Sequence, residues 1–423
     1  MPAYDNAGLL ELTLWSLTRQ TVPASEFEVI VVDDGSQPSL APVVEPFTVR
    51  YLRHEPNRGR AVARNRAVEA ARADVILFLD SDSCAHPDLI RRHLDFHSGR
   101  SGRPGVLIGR RLEIDWAGID VLRRGEVPDG ALVGEYRGDL RDGTLGQPHA
   151  RRDLARAPWL YAFTHNISVD RASVLAAGGF DQDLVHWGYE DTELFFRVFT
   201  RHGRRTDVFA LDEAALCYHL PHFHPWPINL GHAGENLRRL FDKHPTYDFE
   251  PSMAGMAPFY AIRTIAQWEE ALDLCRRYGL GRVDRLPPGA LSGSCLLFGF
   301  GVPAAPPPGL RTADHDRPVD DTNLHLAGLR TPFADGQFDR LVNLDLWRFF
   351  GPDVLSMLVL EAVRVAAEVE LVCTDLSIPA ATMMPVPFID NVDYVVRLLG
   401  PHFEVDVRRS DTSGASIIVR RNN

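Results

Sequence analysis

"FEVIVVDDGS" (Phe27–Ser36) decides how this chain is read. Its β-branched run ends on two aspartates and a glycine, the pattern of a buried parallel strand that opens into a turn. "ADVILFLDSDS" (Ala73–Ser83) repeats the theme, with an apolar strand that ends on Asp80-Ser81-Asp82. Between the two, "GRAVARNRAVEAARA" (Gly59–Ala73) has helical spacing, with Ala61, Val62, Ala67, Val68 and Ala71 near one face. Ahead of both, "LLELTLWSLTRQT" (Leu9–Thr21) aligns Leu10, Leu14 and Leu17 on another helix. Helix, strand, helix, strand is the order of an α/β domain. Parallel sheets bind their ligands beyond the carboxyl ends of the strands, so both acidic clusters point into one crevice.

An Asp-x-Asp at a strand end sets two oxygen ligands on a short turn. That arrangement suits a Mg²⁺ or Mn²⁺ ion carrying a diphosphate, which keeps open coordination positions. The plainer alternative is a solvated turn capping a helix that begins near Pro87. A second acidic cluster stands in "GGFDQDLVHWGYEDTELFFRVFTRHGR" (Gly178–Arg204). Glu190 to His202 reads as an amphipathic helix with Leu194, Phe195, Val198 and Phe199 buried and Gly203 as its stop. Glu190 and Asp191 fall in its first turn, where simple dipole capping would also place acids. Trp187 and Tyr189 just ahead of them supply the apolar faces that a sugar ring packs against. The third cluster is "ALCYHLPHFHPW" (Ala215–Trp226), in which His219 ends a strand-like stretch and His222 and His224 follow. An H-x-x-H-x-H run can be read as a zinc site, but no cysteine or carboxylate pattern supports that. A divalent ion held by the upstream D-x-D would take one more ligand from it.

Composition bounds the rest. The 423 residues leave room for two or three domains. A net charge of −12 argues against a general nucleic-acid binder. No apolar run is long enough for a bilayer, and no leader pattern is visible. Five scattered cysteines without a C-x-x-C fit a reducing compartment, so a cytoplasmic or peripherally membrane-bound protein is expected. Lys243 is the single lysine, an arginine bias that points to a GC-rich bacterial gene.

"VVDDGS", "NRGRAVARN", "ILFLDSD" and "GGFD…WGYEDTELFFR", in that order, resemble an inverting family 2 glycosyltransferase of the GT-A fold. The later part resembles the galactosyltransferase-type segment of chondroitin-polymerase-like enzymes. The likeness covers about Met1 to His244. It implies a metal-dependent hexosyltransferase that moves a sugar from a nucleotide-sugar, a UDP-sugar foremost, to an acceptor hydroxyl. By the same resemblance Asp34, with Asp33 beside it, faces the nucleotide base, and Arg64 lies near the base and phosphates. Asp80 and Asp82 hold Mn²⁺ or Mg²⁺, with Asp82 the direct ligand and His219 completing the set. Asp191 is the general base, Glu190 binds an acceptor hydroxyl and Trp187 lines the sugar site. Where relatives often carry a glycine pair before "NIS", this chain has Thr164 and His165, beside the donor sugar. The acceptor is a carbohydrate, a natural product or a peptide, read by loops such as Asp115–Pro158.

In this family about five apolar residues of a central strand precede "PAY", and here only Met1 does. The sequence therefore leads us to expect that the first strand is missing. A late start is the preferred explanation, and a domain that tolerates an incomplete sheet is the other.

Residues 1–246 are thus expected to form the GT-A domain and 247–288 a helical connector, with a strong helix over Tyr260–Gly279. Residues 289–423 are expected to form a smaller Rossmann-like α/β domain. "SCLLFGFG" (Ser294–Gly301) begins that pattern, and "TPFADGQFDRLV" (Thr331–Val342) resembles a class I methyltransferase. The "VPAAPPPG" (Val302–Gly309) that follows the first strand is too short and proline-rich to cradle a cofactor. A degenerate, non-catalytic domain is expected. The alternatives are a bifunctional enzyme whose second domain methylates with S-adenosylmethionine, and a non-catalytic nucleotide- or carbohydrate-binding scaffold.

Overall fold

The computed structural model describes residues 1–126, 139, 141–142, 154–223, 225–286, 291, 293–409 and 414–422. His224 and most of the 115–158 stretch, singled out above, lie outside them. The chain divides into two compact units, Met1–Arg239 and Leu240–Asn423. The helix expected over Tyr260–Gly279 runs over Pro258–Tyr278, within the second unit.

In the first unit, β1 (Pro2–Ala3), β2 (Ile30–Asp33) and β3 (Arg50–Arg53) form a parallel three-stranded sheet in the order β1-β2-β3. A five-stranded mixed sheet has the order β4-β7-β6-β8-β5, from β4 (Val75–Leu79), β5 (Ser83–Ala85), β6 (Val106–Glu113), β7 (Asn166–Asp170) and β8 (Phe209–His219). The leucine stripe of helix α1 (Ala7–Leu17) is buried as its spacing requires: Leu10, Leu14 and Leu17 pack in one core with Val31, Leu79 and Leu89. Helix α2 (Arg60–Ala70) follows β3 and buries Ala61, Ala63 and Val68. The α/β class read from the sequence is the one observed.

The first strand is present but only two residues long. Ala3 pairs with Asp33, and the Met1 amine donates to the carbonyl of Ile30 at 2.9 Å. Burial pushes that amine down to about 5, and the Arg64 charge adds to the effect. β1 and β4 are the outer strands of their two sheets. Beside Met1 an apolar groove of about 330 Å³ separates Phe27–Ile30 from Val75–Leu79.

The second unit is built on one six-stranded sheet in the order β10-β9-β11-β12-β14-β13. Its strands are β9 (Cys295–Phe298), β10 (Leu310–Ala313), β11 (Phe338–Leu344), β12 (Ala366–Cys373), β13 (Phe403–Arg409) and β14 (Ala415–Arg421). The first four in that order are parallel and β14 runs antiparallel to both its neighbours. No helix stands between β9 and β10; residues 301–309 cross as irregular chain. Asp314, just after β10, is fully buried and accepts from the backbone N–H groups of Val302 (3.0 Å) and Asp316 (2.9 Å). In dinucleotide folds an acid at that place faces a ribose. Here it fastens its own loop.

Candidate active site

Three strand ends and one helix start build the site. β2 delivers Asp33 and Asp34. Both were expected on the nucleotide side, but the structure separates them. Asp33 is fully buried and accepts from the Ser36 and Leu40 N–H groups, the Tyr51 hydroxyl at 2.6 Å and Arg53 at 2.9 Å. These four donors fasten Asp33 to the turn and to β3. Asp34 accepts from the N–H groups of Arg58 (3.1 Å) and Gly59 (2.8 Å) and pairs with His54 at 2.8 Å, yet it still lines the cleft. Gly35 closes this turn with a φ of +88°. A Cβ there would stand 2.5 Å from the backbone nitrogen of Asn57, so only glycine fits.

Arg64, from the middle of α2, is 3 % exposed and spans two acids. One nitrogen donates to Glu190 Oε1 at 2.9 Å and another to Asp80 Oδ1 at 3.1 Å. It thus locks the D-x-D strand end to helix α3 (Glu190–Arg201). Glu190 is equally enclosed, and its second oxygen accepts from the Gly188 N–H at 3.1 Å. Expected to bind an acceptor hydroxyl, Glu190 accepts here from Arg64 and from the Gly188 N–H. Arg60, one turn before Arg64, is the arginine that opens to the cleft: its side chain is 40 % exposed and lies 3.8 Å from Glu190. The i, i+4 spacing of Arg60 and Arg64 is the signal that would have found it.

Glu190 and Asp191 are neighbours with opposite fates. Burial opposes ionisation of Glu190, but Arg60 and Arg64 outweigh it and hold the carboxyl below its usual range. Burial and the adjacent Glu190 charge push Asp191 up to about 6. Asp191 accepts from its own helix at Thr192 N (2.8 Å) and from Thr164 N at 3.3 Å. A carboxyl held near 6 is poised to take a proton at neutral pH. The backbone ahead of the pair is strained to present it: Gly188 has φ +98° and Tyr189, not a glycine, φ +69°. Asn236, fully buried in helix α4 (Trp226–Lys243), pins this loop through the carbonyls of His186 (3.0 Å) and Gly188 (2.7 Å).

Asp82 meets His219 and His222. The strand register brings them there, since Ser83 pairs with His219 across β5 and β8. A shift between Gly109 and Arg110 sets Glu113 of β6 level with the same histidine. Glu113 then lies 2.6 Å from His219 Nδ1. His219 Nε2 is 3.7 Å and His222 Nε2 3.2 Å from Asp82 Oδ2. Burial works against a charge on His219, but bonds to Asp82 and Glu113 prevail and raise it to about 9. Among the described residues these three side chains form a group able to hold a metal ion, their ligand atoms all within 4.8 Å. Asp80 is not in it. Expected to help hold the ion beside Asp82, the direct ligand, Asp80 pairs here with Arg64 at 3.1 Å. A cleft of about 350 Å³ is lined by Asp34, Arg60, Arg64, Asp80, Asp82 and Trp187.

Residues 1–121 match the model of glycosyl transferase family 2. The chain carries a family 2 glycosyltransferase domain. Curated relatives of this glycosyltransferase bear out an enzyme of that kind. The chain is 28 % identical over 381 residues to validoxylamine A glucosyltransferase of Streptomyces hygroscopicus subsp. jinggangensis (strain 5008), covering 81 % of this chain and 88 % of that one. It is 26 % identical over 238 residues to chondroitin synthase of Escherichia coli, covering 52 % of this chain and 34 % of that one. Among solved structures, mannosyltransferase PcManGT from Pyrobaculum calidifontis, in complex with GDP-Man and Mn2+, matches with a TM-score of 0.42 at 17 % identity, over 66 % of this chain and 77 % of that one. No helix among the described residues is long and apolar enough to cross a membrane.

Proposed function

We propose that this glycosyltransferase is metal-dependent and inverting, and that it transfers a hexose from a UDP-sugar to a hydroxyl of a natural product. The nucleotide diphosphate occupies the cleft between Asp34 and Trp187. The half-exposed Arg60 offers its charge to the phosphates. The Asp82–His219 wall would hold a divalent ion, which supplies charge neutralisation for the departing diphosphate. The donor set fits such an ion: one carboxylate, one imidazole and a carboxylate on the far ring nitrogen.

Asp191 accepts the proton of the acceptor hydroxyl as that oxygen forms its bond to the anomeric carbon. The bond from that carbon to the diphosphate oxygen breaks on the opposite face, so the configuration inverts. The observation that carries this reading is the split pair. Arg60 and Arg64 keep Glu190 ionised, and burial together with the Glu190 charge lifts Asp191 into the range of a working base. Support for an acceptor of the validoxylamine A kind comes from the extent of the likeness to that enzyme. It covers 81 % of the chain, about 340 residues, more than the 239 of the first unit, so the second unit shares in it. We read that second unit as non-catalytic, because residues 301–309 form no cofactor cradle and Asp314 is closed off.

A coupled assay for released nucleoside diphosphate, run over a panel of nucleotide-sugars with validoxylamine-type acceptors, tests the reading. Chelation should abolish release and Mn²⁺ should restore it. Full activity in chelator would overturn the metal requirement.

A further inference from the structure

We propose that Asn236 is a positioning residue for sugar transfer: by fixing the segment that carries Trp187, it sets the wall of the sugar site and the aim of Asp191. The inference rests on the sugar-transfer reading above.

Helix α4 turns one face toward residues 183–188. His232, Glu235, Asn236 and Arg239 recur at the i, i+3, i+4, i+7 spacing of a single stripe, and each meets that segment. The His232 ring stacks on His186, with centroids 4.4 Å apart and planes 16° apart. Glu235 Oε2 lies 3.5 Å from His186 Nε2. Arg239 donates to the Asp183 carbonyl at 3.2 Å. Asn236 is the fully buried member of the stripe. Its Nδ2 donates to the His186 carbonyl at 3.0 Å and to the Gly188 carbonyl at 2.7 Å. Carbonyls only accept, so the amide nitrogen has to be the end that faces them, and both of its hydrogens are used there. Oδ1 is buried with no hydrogen-bond partner among the described residues. Such an oxygen costs stability that an apolar side chain of the same shape would avoid, so packing alone does not account for an amide at this place.

The two carbonyls bracket Trp187, which lines the cleft. Gly188 is held at both polar ends, its N–H by Glu190 Oε2 at 3.1 Å and its carbonyl by Asn236. The close approach leaves little room: a Cβ on Gly188 would stand 3.2 Å from the Ala233 Cβ. Tyr189 follows at φ +69°, a left-handed conformation that a side chain keeps only where surrounding contacts impose it. Trp187 and Asp191 stand two residues to either side of it. Without the Asn236 bonds the backbone at Tyr189 can relax, and both side chains turn with it. A misplacement of about 1 Å at a reacting group is worth about 100-fold in rate.

The test uses the full chain labelled with fluorotryptophan. Asn236→Leu keeps the shape of the side chain and deletes both donors. The Trp187 fluorine resonance is assigned by Trp187→Phe, and Trp159 and Trp268, both fully buried, report the rest of the fold. Transfer is measured on the same preparations over a panel of nucleotide-sugars, and binding of the matching free nucleoside diphosphate by calorimetry. In Asn236→Leu the Trp187 line should shift or broaden while those of Trp159 and Trp268 hold. The kcat/KM for transfer should fall about 10- to 100-fold, while the free nucleoside diphosphate, bound at the Asp34 end, keeps its affinity within about twofold. If Asn236→Leu does not fold, His232→Ala, at a half-buried place on the same stripe, removes the ring stack and is read in the same way. An unmoved Trp187 line, or a kcat/KM equal to that of wild type, overturns the proposal. So does a loss of nucleotide affinity in step with kcat/KM, the mark of a general loss of fold. If wild type transfers sugar and Asn236→Leu does so equally well, only this inference fails. If wild type transfers sugar from no donor in the panel, the sugar-transfer reading fails and this inference fails with it.

Discussion

Replacing Asp191 by asparagine should make the protein more stable and inactive at once. Its carboxyl rises from 3.8 to about 6 in the folded state, under burial and the Glu190 charge. A carboxyl whose folded value lies above its unfolded one favours the protonated fold. Its ionisation therefore destabilises the fold progressively between about pH 4 and pH 6, and by a constant amount above that. The displacement corresponds to about 3 kcal/mol. Asparagine removes that cost but keeps only one acceptor oxygen. It can serve Thr192 N or Thr164 N, not both, and the unserved donor costs about 1 kcal/mol. A net gain of about 2 kcal/mol remains at pH 8, or roughly 4–8 °C in melting temperature for a unit of this size. Below about pH 4 the gain should vanish and leave only the lost hydrogen bond. Over the same comparison kcat should fall by about 10²–10⁴, the worth of a positioned base. Melting curves at pH 8 and pH 4 and a transfer assay on one preparation measure both halves. An Asp191→Asn protein that loses as much stability at pH 8 as at pH 4, or that transfers sugar at the wild-type rate, refutes the reasoning.

Two further outcomes follow from the same geometry. Arg64→Met leaves Glu190 buried with only the more distant Arg60, so about 3–5 kcal/mol should be lost at pH 7.5. Because Glu190 is held below its usual range, that loss should shrink as pH falls below the ordinary glutamate value of 4.5 toward the lowered folded value, where the acid is neutralised; a difference that stays flat with pH in urea unfolding would count against the ion pair. Five β-branched residues fused ahead of Met1 should fill the groove between β2 and β4 and raise the melting temperature by at least about 5 °C, since each buried side chain contributes about 1.5–3 kcal/mol before ordering costs of about 1–2 kcal/mol. An unchanged melting temperature would mean that the groove does not take a strand.

Most of the fold was legible because its signals are local. The strand ends at Asp33-Asp34 and Asp80, the helix from Glu190 and its buried face of Leu194, Phe195, Val198 and Phe199 all follow from runs and spacings within a few residues. The first strand, expected to be missing, is formed by Pro2 and Ala3, and Ala3 registers against Asp33. The site was legible in its membership but not in its division of labour. Whether an acid faces a ligand or its own backbone depends on which N–H groups lie above it, and no spacing rule reports that. Asp33 and Glu190 were expected at ligands for this reason, and in the structure both accept from the protein's own donors. Glu113 was missed because its place beside His219 depends on a register shift between Gly109 and Arg110, far from either histidine in sequence. Asn236 escaped notice because it acts across 48 residues on a loop carbonyl.

The most direct test of the account is a thermal-shift panel of UDP, GDP, dTDP and CDP, each with and without Mn²⁺. At about 100 times its dissociation constant a bound nucleotide adds about 2.7 kcal/mol. The account predicts that UDP stabilises the protein and does so only when Mn²⁺ is present. A cooperative melt that no nucleotide shifts, or a UDP shift of the same size in chelator, would contradict it.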